Sequence, residues 1–236
     1  MIVSIHQPSY WPWLGLLDKI AKSDLFVLLD NVQLNKDSYQ RRNIFLAGNS
    51  EKYLTIPIDY FMGVKINEAR IKDETFPRKH YETLRGWYMK SPFFAQVEEL
   101  ICPLYQRHYE TLIEIAMETM LASLEAFGIK TRVMLASELD AAGAKGELVL
   151  NICKAVNATS YLSGKGALQY FQERDFVAFS TAGIEVVFQQ FTHPVYAQYG
   201  AQQFIPGLGC LDYLFNCGCE QGKNVFPADS SAGNSA

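Results

Sequence analysis

The sequence predicts an α/β protein built on a mostly parallel, three-layer Rossmann-like sheet, with an antiparallel excursion and a helical segment in the middle of the chain. Three observations near the start carry this prediction. Residues 2–5 form a short apolar run, residues 13–22 carry apolar side chains at helical spacing, and residues 25–29 are continuously apolar. A continuous apolar run is typical of a parallel strand that is buried on both faces. Strand, helix and strand in this order predict a βαβ unit with a right-handed crossover.

The later elements are predicted in chain order by the same patterns. Strand-forming runs at 41–46 and 52–57, around a turn at 47–50, predict an antiparallel hairpin. Helical periodicity with Gly128 as C-cap predicts a long helix over 105–127. The remaining predictions are a strand at 131–136, a helix at 147–156, a strand at 160–162, a short helix at 167–171, a strand at 184–191 and a helix at 211–216.

The organisation of the chain predicts a single domain over residues 1–227. The sequence has no internal repeat and no segment with the composition of a linker. Residues 228–236 consist almost entirely of small and polar residues, and we expect a disordered tail there.

Composition narrows the classes of partner. Hydrophobic residues make up 49% of the 236 and charged residues 19%, which favours a packed core over disorder. The formal net charge of −4 lacks the basic face that a nucleic-acid partner requires. No apolar run reaches the length of a membrane span, so membrane insertion is not expected. Five cysteines, an odd number without paired spacing, and the absence of a signal peptide predict a cytoplasmic location with reduced thiols.

The first candidate site is the segment 6–15, which follows the first predicted strand. Ligands of open α/β sheets bind at the carboxyl ends of the strands, and the helix that begins after Pro12 offers free N–H groups to an anion. His6 is the candidate acid or base. The alternative is that the segment only caps a strand and packs. The candidate substrate-binding residues here are Gln7, Tyr10, Trp13, Gly15 and Lys19.

A second candidate group follows the second predicted strand. Asp30 could orient His6, hold a ribose hydroxyl or bind Mg²⁺, or it could simply cap a turn. Gln33 lies beside it in the sequence, and Arg42 and Asn43 follow. Arginine suits bidentate binding of phosphate or carboxylate, but Arg41 and Arg42 point to opposite faces of a strand, so only one of them could serve a site.

Two further groups lie near the carboxyl end of the chain. Ser163, Gly164 and Lys165 follow a predicted strand and resemble a phosphate-binding loop in composition, without the spacing of a Walker A motif. A tight βα turn is the alternative. In the other group His193 is a candidate acid or base, with Tyr196 and Gln198 as binding residues. His80 and His108 lie among charged neighbours, and we expect both at the surface.

Several catalytic patterns are absent from the sequence. It has no Gly-x-Ser-x-Gly nucleophile motif, no His-x-x-x-His metal motif and no Gly-x-Gly-x-x-Gly dinucleotide motif. No metal site is therefore predicted from the sequence.

The quoted segments resemble the WbqC-like protein family of bacteria. The resemblance is carried by 6–15, 19–20, 23–24 and 30–33 and, towards the other end, by 161–164, 193–198, 204–206 and 211–218. It departs locally at Arg41, where an Asn is expected before the Arg–Asn pair. The family is associated with gene clusters for O-antigen and other surface polysaccharides, which implies a role in that biosynthesis. A more distant likeness is to nucleotidylyltransferases such as pantothenate synthetase, which use His and Gly at a helix N-terminus to hold ATP phosphates.

Together these features lead to one hypothesis and one alternative. The hypothesis is an enzyme, a transferase of surface-polysaccharide precursor biosynthesis, that acts on a small activated substrate by nucleotidyl or acyl transfer. His6 would be the acid or base or a phosphate ligand, Lys19 and Arg42 would neutralise phosphate, and Asp30 would orient a partner group or a metal. A nucleotide cofactor, with or without Mg²⁺, and a homo-oligomer are both compatible with the sequence. The alternative is a non-catalytic ligand-binding or assembly protein of the same pathway.

Overall fold

The computed structural model describes residues 1–166 and 171–226 and contains a five-stranded parallel sheet. Its strands are β1 (Ile2–His6), β2 (Leu25–Leu28), β5 (Arg132–Leu135), β6 (Ser160–Ser163) and β7 (Glu185–Phe188). They lie in the order β5-β2-β1-β6-β7. Counting only these five strands along the chain, the order is 3-2-1-4-5, which is that of doubly wound nucleotide-binding folds. The predicted Rossmann-like sheet is confirmed.

Helices cover both faces of this sheet. The helix α1 (Leu14–Ala21) packs on one face, while α5 (Gly146–Ala155) and α6 (Glu173–Thr181) pack on the other. Side chains alternate along β2, so that Phe26 belongs to the first core and Val27 to the second. Burial on both faces is the physical reason for the continuous apolar run at 25–29.

The middle of the chain forms the predicted excursion from the parallel sheet. The strands β3 (Arg42–Ala47) and β4 (Ser50–Thr55) pair as an antiparallel hairpin. The helices α2 (Phe76–Tyr88), α3 (Phe94–Tyr105) and α4 (Leu112–Ala126) follow, and they share the α1 core. Short 3₁₀ turns lie at Ile66–Glu68 and Ala136–Glu138.

Two helix predictions were wrong in their extent. The single helix expected over 105–127 is the end of α3 and a separate α4, because Thr111 and Glu114 form a capping box that starts a new helix. The last helix, α7 (Leu211–Asn224), runs beyond 216 and is kinked at Gly218, whose φ is 81°. The Phe93 ring lies where a Cβ of Gly218 would be, so this turn excludes a side chain.

Two predictions concern residues that the structure does not describe. The short helix expected at 167–171 falls almost wholly on 167–170, and the expected tail at 228–236 falls within 227–236; both stretches lie outside the described residues.

Candidate functional site

The direction of the chain through the sheet reverses at β1. From β1 the chain crosses by α1 to β2 on one side, whereas β6 and β7, joined by α6, lie on the other side. The helices of the two halves therefore pack on opposite faces, and a crevice opens between β1 and β6 at their carboxyl ends. Ligands of open α/β sheets bind at such a reversal.

The strand pairing ends early at this crevice. The last pair between β1 and β6 is Ser4 with Leu162, although β1 continues beside β2 as far as His6. The strand β6 likewise continues beside β7 as far as Ser163. The pairing between the two central strands therefore ends two residues before the β1–β2 ladder does and one residue before the β6–β7 ladder does.

Lys19 fills the hydrogen-bonding position that this separation leaves. The Met1 carbonyl accepts from Ser160 N–H, and carbonyls alternate in direction along a strand, so the Ile5 carbonyl also faces β6. Regular pairing would give it the N–H of Gly164. Instead it accepts a hydrogen bond of 3.0 Å from Lys19 Nζ, and no acceptor for Gly164 N–H is found among residues 1–166 and 171–226.

A cavity of about 530 Å³, which we call the β1–β6 cavity, occupies the crevice. This volume is typical of a small-molecule site. Its walls combine an apolar side with a polar side, and none of the described lining residues is acidic. The apolar side chains are Ile5, Leu29, Val32, Leu148, Val149 and the ring of Tyr161; the polar side contains His6, Gln7, Lys19, Lys145, Ser163, Gly164 and Gly166.

Lys19 is a buried charge among the described lining residues of the cavity. Its side chain is 3% exposed, and it takes part in none of the ion pairs of the described chain. Burial lowers the pKa of Lys19 to about 8, because the charged form loses hydration that no carboxylate replaces. At neutral pH the ammonium is still protonated, and an anion in the cavity would supply the missing counter-charge.

His6 stands beside this charge and is neutral at pH 7. Its Nδ1–H donates to the Gln7 carbonyl at 2.8 Å, so Nε2 is the basic nitrogen. Loss of hydration among the surrounding protein atoms, together with the nearby Lys19 charge, lowers the pKa of His6 to about 4. The ring nevertheless keeps accessible surface because it faces the open cavity. His6 can therefore accept a proton from a bound group.

A hydrogen bond to a neighbouring loop fixes the polar segment after β1 at the cavity. Gln7 Oε1 accepts a hydrogen bond of 2.6 Å from Gln40 Nε2, which joins the segment after β1 to the loop before β3. Ser163 is fully buried, and Gly164 follows it at the cavity wall. Lys165, the third member of this predicted group, is exposed and is not among the lining residues.

Lys145 is a lining residue that sequence reasoning missed. It precedes α5 in the segment Ala142-Gly143-Ala144-Lys145-Gly146, and its backbone has φ 54° and ψ −127°. A non-glycine residue in this region costs about 1 to 3 kcal/mol. The signal that could have found it is the Gly-Ala-Lys-Gly sequence directly before an amphipathic helix.

The main candidate residues do not all lie at one site. His6, Lys19 and Ser163 line the β1–β6 cavity, but Asp30 and His193 do not. Asp30 is 1% exposed, and its two carboxylate oxygens accept from Ser137 N–H at 2.9 Å and Asn67 Nδ2 at 3.2 Å. Those bonds tie Asp30 to the 3₁₀ turns at Ile66–Glu68 and Ala136–Glu138, so both carboxylate oxygens are engaged within the fold.

His193, Tyr196 and Gln198 belong to a separate cluster around Asp212. His193 donates from Nδ1 to the Pro194 carbonyl and accepts at Nε2 from Gly207 N–H, so both ring nitrogens are engaged. Tyr196 Oη and Gln198 Nε2 donate to Asp212 Oδ2 at 2.8 and 3.0 Å. These contacts fix the long loop before α7 to that helix.

Tyr10 and Asn43 lie in the core and not in the cavity. Both are fully buried, and Asn43 Nδ2 donates to the carbonyls of Tyr10 and Trp11 at 3.1 and 2.6 Å. These bonds hold Trp11 at φ 46°. His80, expected at the surface, is 6% exposed and accepts from Tyr10 Oη at 2.9 Å, so that expectation was wrong.

The other predicted binding residues are also placed outside the cavity lining. The Trp13 ring lies over Gly15, where a Cβ would come within 2.1 Å of it, so Gly15 makes room for an indole. Arg42 donates to the Asp37 carbonyl at 2.5 Å and lies over the Tyr53 ring at 4.4 Å. Gln33 is exposed and bridges to Lys65 through the backbone.

Two kinds of feature are absent from the part of the chain that the structure describes. Within residues 1–166 and 171–226 no group of three or more His, Cys, Asp or Glu side chains is arranged to hold a metal ion. None of the helices in the same residues is long and apolar enough to cross a membrane.

Comparison with known proteins identifies the group to which this arrangement belongs. The model of the WbqC-like protein family matches residues 7–224. An uncharacterized protein of Mycobacterium tuberculosis, Rv1507c, is 29% identical over 223 residues, which are 92% of this chain and 94% of the relative. No solved structure matches the chain. The likeness to nucleotidylyltransferases stays a prediction.

Proposed function

The chain belongs to the WbqC-like protein family, and we propose that it is an enzyme that binds a small, activated, anionic substrate in the β1–β6 cavity and catalyses a transfer reaction on it. The finer assignment, to the biosynthesis of surface-polysaccharide precursors, is supported by the resemblance alone. A single domain over residues 1–227 and a cytoplasmic location are parts of the same proposal.

The observation that carries the proposal is the buried Lys19 ammonium in the opened ladder. A buried charge without a counter-ion is costly, and the Ile5 carbonyl satisfies only one of its three N–H groups. At a purely structural position an apolar side chain would avoid this cost. The position is explained if a phosphate or carboxylate completes the ion pair during function.

The remaining lining residues suit an activated substrate. The N–H of Gly164 lies at the same break in the ladder and can donate to a second oxygen of the anion. The apolar wall around Tyr161 suits the uncharged part of the ligand, such as a base or an acyl chain. Lys19 and the amide would then stabilise negative charge that develops on the donor group.

His6 supplies the proton transfer that such a reaction needs. Its Nε2 would take the proton of an acceptor hydroxyl or amine as the acceptor forms its bond to phosphorus or to an acyl carbon. The bond to the leaving group breaks with its electron pair, and the proton on His6 passes to that group or to water. A bound anion would raise the pKa of His6 from about 4 towards neutrality and so make it a better base.

The test begins with thermal-shift screening of inorganic phosphate, nucleotides, nucleotide sugars and coenzyme A against the full chain. We expect at least one of these to raise Tm, and Lys19→Met to weaken its binding about thirtyfold. Lys154→Ala, which removes an exposed charge at the far end of α5, is the matched control and should bind normally. A panel without any ligand that depends on Lys19 would overturn the proposal.

A turnover assay distinguishes the proposed enzyme from a non-catalytic binding protein. With a ligand identified, we expect product from the wild type and its loss in His6→Gln, with binding changed little. Tight binding without product in the wild type, across acceptor alcohols and amines, would instead support the non-catalytic alternative.

A further inference from the structure

The β1–β6 cavity has a second lysine that forms no ion pair among the described residues. Lys145 lines the cavity from the segment before α5, whereas Lys19 reaches it from α1 on the opposite face of the sheet. Neither lysine forms an ion pair within the part of the chain that the structure describes. The cavity therefore has positive charge at two of its walls.

The charges around Lys145 do not remove this excess. Asp175 of α6 packs against Gly146, and its Oδ2 accepts from Gln172 N–H at 2.7 Å. The Glu147 carboxylate lies beside Gly143. Both groups contact glycines next to Lys145, and neither carboxylate is within 4.0 Å of its ammonium.

The backbone indicates why this lysine stands where it does. Its φ of 54° and ψ of −127° match the first central position of a type II′ turn, which glycine usually occupies. The neighbours Gly143 and Gly146 show that glycine occurs readily in this segment. A lysine at this position therefore makes the fold less stable than a glycine would. The feature that lysine has and glycine lacks is its charged side chain.

From these observations we infer that the ligand carries two anionic groups, of which the first binds at Lys19 and Gly164 N–H and the second at Lys145. Lys145 is then the residue that distinguishes a diphosphate or longer polyanion from a monophosphate. The inference rests on the proposed function, since it assigns the second end of the same ligand.

The cavity shape supports this division. Lys19 is 3% exposed at the depth of the crevice, whereas the Lys145 side chain is exposed at the rim. The apolar wall formed by Leu148 and Val149 follows directly after Lys145 on α5. A ligand held at both cations would therefore lie along that wall, with one anionic group buried and the other accessible from solvent.

The test uses inorganic phosphate, pyrophosphate and tripolyphosphate as probes, titrated calorimetrically into the full chain at low ionic strength. We expect pyrophosphate or tripolyphosphate to bind the wild type about tenfold more tightly than phosphate. Lys145→Ala should abolish that preference and leave phosphate affinity within about twofold. Lys145→Arg should retain it, because the charge is kept.

Two substitutions to glycine, Lys145→Gly and Asn157→Gly, separate the effect of the Lys145 charge from the effect of its backbone strain. Lys145→Gly removes both the strain and the charge, so we expect a higher Tm together with loss of the polyanion preference. Asn157→Gly, at the other positive-φ residue near α5, with φ 56°, changes the backbone in the same way and should keep the preference.

The outcomes separate this inference from the proposed function. Equal affinity of the wild type for all three probes, or a polyanion preference that survives Lys145→Ala, overturns the two-anion inference while phosphate binding at Lys19 stands. Loss of all binding only in Lys19→Met supports the site, and binding of every probe that is unaffected by Lys19→Met overturns the proposed function itself.

Discussion

Residues 6–15 place polar side chains in two contrasting surroundings. His6 and Gln7 line the β1–β6 cavity, whereas Tyr10 and Trp11 are fully buried in the core. In the core, the Tyr10 hydroxyl and the Trp11 Nε1–H both have partners, whereas the Ser9 hydroxyl, which is also buried, has none among the described residues. In the cavity, the charge on Lys19 and the Nε2 of His6 have unused capacity in the described chain. For Tyr10 and Trp11 on one side and Lys19 and His6 on the other, completeness of hydrogen bonding separates a structural polar residue from one that is ready for a ligand.

The core side of the comparison is a continuous hydrogen-bonded chain, which we call the core network. Trp11 Nε1–H donates to Tyr105 Oη at 2.8 Å, Tyr105 and Tyr10 share a short hydroxyl–hydroxyl bond, and Tyr10 Oη donates to His80 Nδ1. His80 Nε2–H donates in turn to the Thr55 carbonyl at 3.1 Å. Burial lowers the pKa of His80 to about 4, so the ring is neutral and fits this sequence of donors and acceptors.

The Asp212 cluster resembles the core network, and its loss should have the largest effect. Asp212 is fully buried and accepts from Tyr88, Tyr196 and Gln198. We expect Asp212→Ala to lower the free energy of unfolding by roughly 3 kcal/mol or more, because three buried donors lose their acceptor. Urea unfolding measures this, and Asp212→Asn, which retains one acceptor oxygen, should lose less. If Asp212→Ala unfolds at the same urea concentration as the wild type, Asp212 has no structural role.

Lys19→Met should have the opposite effect. We expect the variant to be more stable than the wild type by about 2 kcal/mol at pH 7, since it removes an unpaired buried charge and leaves only the Ile5 carbonyl without its donor. Anion binding should be lost at the same time. A variant that is less stable than the wild type would show that Lys19 is held for the fold.

The pH dependence of Lys19→Met gives a second measurement. Because burial lowers the pKa of Lys19 from 10.5 to about 8, the unfolded chain binds more protons than the folded chain between these pH values. The free energy of unfolding of the wild type should therefore rise with pH across this window, by an upper limit of roughly 3 kcal/mol from this group. Subtracting the free energy of unfolding of the variant from that of the wild type at each pH separates the contribution of Lys19 from that of other groups that titrate in the same window.

The parts of the fold that could be predicted depend on local pattern. The strand at 25–29 and the helix at 13–22 were recognisable because burial on one or both faces imposes a period on the sequence. The helix over 105–127 was overextended because Tyr109 continues the apolar period, although in the structure its hydroxyl donates to the Leu104 carbonyl in the turn between two helices. Periodicity alone cannot distinguish a buried turn residue from a helical one.

The site was predictable to the extent that strand ends define a sheet edge. His6, Gln7, Ser163 and Gly164 line the cavity because each ends or directly follows a central strand. Asp30 also follows a strand, but Ser137 and Asn67, distant in sequence, occupy its oxygens. Lys145 was missed because no strand precedes it directly. Which side chains remain unsatisfied is decided by such long-range contacts, and these have no local signature.

The core network can be tested with Tyr10→Phe, whose expected effect on stability is smaller than that of the preceding variants. We expect Tyr10→Phe to lower the free energy of unfolding by about 1 to 2 kcal/mol, because His80 Nδ1 loses its donor and Tyr105 loses its acceptor. Anion affinity at 25 °C should remain within twofold of the wild type, which calorimetry can measure. A tenfold loss of anion affinity with unchanged stability would move Tyr10 from the core side of the comparison to the cavity side.

The two histidines give the finest comparison, since burial lowers the pKa of each to about 4 and the Lys19 charge contributes only at His6. An anion bound at Lys19 should raise the pKa of His6, because it offsets the Lys19 charge and favours the imidazolium, and should leave His80 unchanged. Lys19→Met should also raise the pKa of His6 without ligand. Ring-proton NMR titrations from pH 3 to 8, assigned with His6→Gln, follow both groups in one experiment. Equal shifts at His6 and His80 would mean that the ligand acts through the fold as a whole, whereas a shift confined to His6 places the anion in the cavity.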